Sequence, residues 1–173
     1  MSSLPLEGRA RVFGNDINTD YIITSRRKRE SLDPQVLRQY LFEELDPAFA
    51  ASLAPGDIIV AGKNFGCGSA MEVAVTAVVG AGIHAIVAGS FSRTYYRNAI
   101  NNGLLPVECD TRGIREGDRI IIANQPGDEQ LLAVRNVRTG ENMGAGAMPG
   151  IMLDIFRAGG LVPYFREHGD FRV

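Results

Sequence analysis

Ile58-Ile59-Val60-Ala61-Gly62-Lys63-Asn64-Phe65-Gly66-Cys67-Gly68-Ser69 is the stretch whose reading decides the fold. Four consecutive apolar residues, preceded by the turn signal Pro55-Gly56-Asp57, have the length and composition of a buried strand. Three glycines in the next seven positions then break all periodicity. Beyond them, Met71, Val73, Ala74, Ala77 and Val78 give residues 70–79 a helical reading that ends at Gly80-Ala81-Gly82. Residues 85–88 read as a second buried strand, and Ser92 can cap a helix running from Arg93 to about Asn101 before Gly103. The unit is strand, glycine loop, helix, strand, helix, which points to an α/β fold with parallel strands.

Outward from this unit the signals change. Residues 8–13 read as an opening strand, followed by a turn-rich acidic segment from Gly14 to Asp20 and the apolar Tyr21-Ile22-Ile23. Ser25-Arg26-Arg27-Lys28-Arg29-Glu30 places four cations in a row. Asp33 and Pro34 are an N-cap and a first helical residue for a pattern carrying Val36, Leu37, Tyr40, Leu41 and Leu45, and Asp46-Pro47 opens a second short helical turn. Toward the C-terminus, residues 105–107, 120–122 and 131–134 read as strands, the last two joined through Gln125-Pro126-Gly127-Asp128. A helix from Pro149 to Ala158 closes at Gly159-Gly160.

With 173 residues, 45% apolar and 22% charged, the chain has the makeup of one globular domain. Eighteen Lys and Arg against twenty Asp and Glu leave a net charge of −2, so there is no general pull toward nucleic acid or membrane. The opening residues lack the charged and apolar regions of a secretory signal, and no run of 18 apolar residues occurs, so the expectation is a cytoplasmic protein without a membrane partner. Two cysteines, Cys67 and Cys109, and two histidines, His84 and His168, have no ligand-like spacing, so no metal site is expected and an iron–sulfur cluster could not be held by this chain alone.

The glycine loop is neither a Walker A motif, because its lysine precedes the glycines, nor a GxGxxG fingerprint. It brings flexible backbone to a helix start, where free N–H groups favour an anion. Ser69-Ala70-Met71-Glu72 fits a capping box, so Ser69 either caps its helix or is held beside donors that would stabilise an alkoxide; the two readings coexist. Arg93 and Arg97, four apart on one helix, are a carboxylate clamp or a solvated face. The run from Arg26 to Arg29 has no interleaved aromatics and is a weak nucleic-acid signal; a mobile loop reaching an anionic substrate or partner fits it equally. His84 reads as a core histidine and Cys67 as a small loop residue.

Three segments, residues 16–23, 56–69 and 90–101, continuing to Ala158-Gly159-Gly160-Leu161-Val162-Pro163-Tyr164, together resemble the small subunit of 3-isopropylmalate dehydratase, the swivelling domain of aconitase-like enzymes freed as a separate chain, in the short form shared with homoaconitase small subunits. The resemblance implies a swivelling β/β/α domain over residues 1–173, with tails at 1–8 and 167–173 and a mobile specificity loop at 24–32. It implies a large catalytic subunit carrying a [4Fe–4S] cluster, a small dicarboxylate or tricarboxylate substrate, and a reversible dehydration and rehydration in leucine biosynthesis. Ser69 matches the serine that takes the carbon-bound proton, and Gly68, Asp20, Arg29 and Arg93 are the positions assigned to substrate binding. Members of the family usually read Gly-Ser-Ser-Arg-Glu-His where this chain has Gly68-Ser69-Ala70-Met71-Glu72-Val73, so an arginine that binds substrate is replaced by Met71. The cationic segment 26–29 then points either to a substrate with an additional carboxylate or to a paralogue that docks or binds RNA without catalysis.

Overall fold

A computed structural model of the chain describes residues 3–171. Its spine is strand β1 (Leu6–Val12), which pairs on both sides. The first half runs antiparallel to β5 (Arg119–Gln125), with Leu6 opposite Ile122. The second half runs parallel to β2 (Ile58–Ala61), with Ala10 opposite Ile58. Outward from β2 the parallel pairing continues through β3 (Ala85–Ala88) and β4 (Leu105–Glu108); outward from β5 an antiparallel meander adds β6 (Asp128–Asn136) and β7 (Asn142–Ala147). The order is β4-β3-β2-β1-β5-β6-β7.

The apolar runs of β2 and β3 are explained by burial on both faces. Ile59, Ala61, Ile86 and Ala88 face one core, shared with Ile22, Leu37, Phe42, Phe65 and the helix α5 (Val73–Gly80). The alternate residues Ile58, Val60, Ala85 and Val87 face a second core with Ile120, Ile122, Leu132 and Val134 of the meander and Leu153, Phe156 and Tyr164 of the helices α7 (Gly150–Ala158) and α8 (Leu161–His168). Helices, parallel strands and meander are therefore stacked as three layers, the β/β/α arrangement expected.

Several expectations are corrected. Residues 6–8 belong to β1 rather than to a tail, and α8 extends to His168, inside the segment 167–173; residues 1–2 and 172–173 lie outside the described residues. The specificity loop at 24–32 is largely helical: α1 (Thr19–Ile22) is followed by α2 (Ser25–Glu30), capped by Thr24, whose hydroxyl accepts from the Arg27 amide. Arg27 explains the order. Its guanidinium makes a two-pronged pair with Glu43 (3.0 and 3.1 Å), reaches Glu30 at 2.9 Å and lies 3.7 Å from the ring centre of Tyr40. The helix begun by Asp33 and Pro34 is only α3 (Pro34–Leu37) plus a 3-10 turn (Arg38–Tyr40). It stops where Leu41 leaves the helical region (ψ 126°), and Phe42 follows in a left-handed conformation (φ 56°) with its ring buried in the core, stacked on Phe13 at 4.2 Å. The second short turn is α4 (Phe49–Ser52).

Candidate active site

Residues 65–69 leave the carboxyl end of β2 and run between two neighbouring segments. On one side Gly66 donates to the Ile17 carbonyl (2.8 Å) and Thr19 donates to the Cys67 carbonyl (2.8 Å). On the other, Phe65 donates to the Ser90 carbonyl (3.0 Å) and Ser92 to that of Phe65 (2.9 Å). The three segments that carry the resemblance in sequence are thus bound together as short parallel bridges, outside the carboxyl ends of the strands, where open α/β sheets place their ligands. The glycines allow this closeness. Gly66 (φ 76°) has no room for a Cβ, which would lie 2.2 Å from the Tyr95 ring, and a Cβ on Gly68 (φ 92°) would meet the Asn18 carboxamide at 2.5 Å.

Helix α6 (Arg93–Asn101) walls the site. The Ser92 hydroxyl accepts from the Tyr95 amide and donates to the Gly66 carbonyl (2.8 Å), so one cap fixes both the helix and the loop. Tyr95 is buried, its hydroxyl donates to the Ala74 carbonyl (3.0 Å), and burial pushes its pKa up, which keeps the phenol neutral.

Ser69 is exposed in a small hollow whose wall includes Thr19, Gly68, Met71, Thr94 and Asn98. It does not cap α5. That helix begins at Val73, with Glu72 at the cap position and no side-chain cap bond, and the Ser69 carbonyl accepts from the Thr19 hydroxyl (2.9 Å) and from no helical N–H. Among the described residues, the amides of Ser69, Ala70, Met71, Glu72 and Val73 find no main-chain acceptor, and the Ser69 hydroxyl has no hydrogen-bond partner. A hydroxyl free of structural duty therefore sits beside unused donors.

The other sequence candidates are distributed around this hollow. Gly68 lines it. Asp20 sits beside it and accepts from the Ser25 amide (3.0 Å) and hydroxyl (2.7 Å), so its carboxylate fastens the start of α2. The Ser25 hydroxyl is in turn 3.9 Å from the Met71 sulfur, and Met71, at 4% exposure, is part of the helical-side core. An arginine at 71 would place its charge where a thioether is packed. Arg29 is exposed on α2 and does not line the hollow. Arg93 and Arg97 share a flank of α6, as their spacing required, but open onto a neighbouring hollow with Phe91, Tyr96 and Glu108. Thr19, Thr94 and Asn98 were not foreseen: all three lie inside the recognised motifs, yet no local pattern marks them as facing Ser69.

His84 is exposed, not a core residue; the buried run begins one position later. Cys67 is half-buried and Cys109 buried, where desolvation and the nearby Asp110 raise its thiol pKa to about 11. Among the described residues no group of three or more His, Cys, Asp and Glu side chains could hold a metal ion, and the donor set does not fit an iron–sulfur cluster. Nor is any helix there long and apolar enough to cross a membrane.

The model of the aconitase C-terminal domain matches residues 29–112. The 3-isopropylmalate dehydratase small subunit of Moorella thermoacetica is 43% identical over 161 residues, covering 92% of this chain and 93% of its own. The chain belongs to the family of 3-isopropylmalate dehydratase small subunits. The isopropylmalate/citramalate isomerase small subunit of Methanocaldococcus jannaschii is 40% identical over 164 residues, covering 94% of both chains. A crystal structure of 3-isopropylmalate dehydratase from the same organism superposes with a TM-score of 0.87 at 37% identity and 96% coverage of each chain. Family and swivelling fold are therefore as the sequence motifs implied.

Proposed function

We propose that this chain is the small subunit of an aconitase-like hydro-lyase, acting with a large subunit in leucine biosynthesis on 3-isopropylmalate or a related 2-substituted malate. The observation that carries the reading is the unengaged Ser69 hydroxyl in a hollow assembled by three motifs and lined also by Ala70 and Met71, whose amides find no main-chain acceptor. Moving a hydroxyl between adjacent carbons requires a proton to leave one carbon and hydroxide the other, followed by readdition in the opposite sense. A serine is a weak base in water. Held among N–H groups at the start of α5, its alkoxide form is stabilised, which lets it take the carbon-bound proton.

A [4Fe–4S] cluster held by the large subunit would supply Lewis-acid chemistry toward the substrate hydroxyl; among the described residues of this chain no group of side chains could ligate it. Substrate carboxylates are assigned to the free amides and to cations outside the wall of the hollow, Arg93 in the neighbouring hollow and Arg29 exposed on α2. Asp20 serves by anchoring α2, and Gly68 by bringing backbone close to the substrate. The competing picture of a docking or RNA-binding paralogue, suggested by the loss of the family's arginine at Met71, is weakened on the side of the cationic run, because Arg27 is occupied by Glu43, Glu30 and Tyr40. Co-expression with the large subunit, anaerobic cluster reconstitution and a screen of substituted malates by absorbance of the unsaturated intermediate tests the proposal. Turnover in the complex and none with either chain alone is the expected result.

A further inference from the structure

We propose that Thr19 is a positioning residue for Ser69: its hydroxyl, donated to the Ser69 carbonyl, keeps the 68–72 turn open so that the Ser69 hydroxyl and the following amides face the substrate hollow. This rests on the reading of Ser69 given above. Thr19 is 1% exposed, and its hydroxyl is 2.9 Å from the carbonyl oxygen of Ser69. Its amide also donates to Cys67, so it holds the loop at two points two residues apart. Ser92 fixes the loop upstream at Gly66, but among the described residues the Thr19 hydroxyl is the one side-chain donor on Ser69 itself. The competing state is local. Freed from Thr19, the Ser69 carbonyl becomes available to the Val73 amide, which would extend α5 backward by a turn, spend the donors left open at its start, and turn Ser69 into the helix cap that its sequence allows. Gly68, at φ 92°, and Ala70 offer little side-chain resistance to that rearrangement.

The test compares Thr19→Ser with Thr19→Ala in the reconstituted, cluster-loaded complex. Both lose the methyl group, so their difference reports the hydroxyl alone. Thr19→Ser is expected to stay within about threefold of wild type, and Thr19→Ala to lose roughly 10- to 100-fold in kcat with KM changed by less than about threefold. Amide hydrogen exchange on the full chain without partner gives a second reading that needs no turnover. In Thr19→Ala the Val73 amide should become more protected than in wild type or Thr19→Ser, while β2 and β3 exchange as before. Equal kcat for the two variants, or unchanged protection at Val73, overturns the inference. If Ser69→Ala in the same complex keeps full turnover, the reading of Ser69 fails instead, and the exchange result still decides whether Thr19 sets the turn.

Discussion

At the residue scale, Ser69 separates a structural role from a chemical one by magnitude. A serine that caps a helix loses about 1 kcal/mol of stability on replacement by alanine. Since Ser69 makes no cap bond, Ser69→Ala should change the urea midpoint by less than the equivalent of about 0.5 kcal/mol. Asp118 is the opposite kind of residue. It is buried and receives Arg138, the Asn136 carboxamide and the Arg115 amide, and the Arg138 hydrogen bonds foremost, against the cost of burial, hold its pKa well below the ordinary 3.8. Asp57, whose burial alone would raise its pKa, is nevertheless held low by Arg9, the Ala54 amide and Arg11. Carboxylates with depressed folded-state pKa values contribute stability above their unfolded pKa and lose it as pH falls through the folded one. Urea midpoints should therefore drop below about pH 4, and Asp118→Asn should lower stability at neutral pH while flattening that drop.

At the element scale, the glycine loop is the least replaceable segment. Gly66→Ala forces a left-handed backbone on alanine and drives a methyl into the Tyr95 ring, which should cost roughly 2 to 4 kcal/mol in chemical denaturation. Helix α2 is held through Arg27. Arg27→Ala removes the Glu43 and Glu30 pairs and the Tyr40 contact and should speed amide exchange over residues 25–30 while β2 and β3 exchange as before. These two elements also mark the limits of what sequence pattern shows. The loop between β2 and α5 was legible because an apolar run followed by spaced glycines has few alternatives. Helix α2 was not, because a six-residue helix without an apolar face has no periodicity to read; its order comes from Glu43, thirteen residues beyond its end. Helix α8 was hidden by Pro163, which is tolerated in a first turn, and β7 by its Gly-Ala composition on the sheet edge.

At the scale of the whole molecule, a single strand, β1, joins a parallel half that builds the Ser69 hollow to an antiparallel half that backs it. The parallel half carries all three motifs, which is why their convergence could be anticipated from a family resemblance. Which side chains share the hollow could not, because a one-position rotation along α6 decides that Asn98 and Thr94 face Ser69 while Arg93 and Arg97 face the next hollow. The chain alone should be colourless and without hydro-lyase activity, since its two cysteines and two histidines provide no cluster site. The most direct measurement is the rate at which the reconstituted complex forms the unsaturated intermediate from 3-isopropylmalate, with wild-type chain and with Ser69→Ala at equal assembly and cluster content. Turnover lower by roughly 10²- to 10⁴-fold in the Ser69→Ala complex is the expected result; an unchanged rate would contradict the assignment of Ser69 as the proton-abstracting residue.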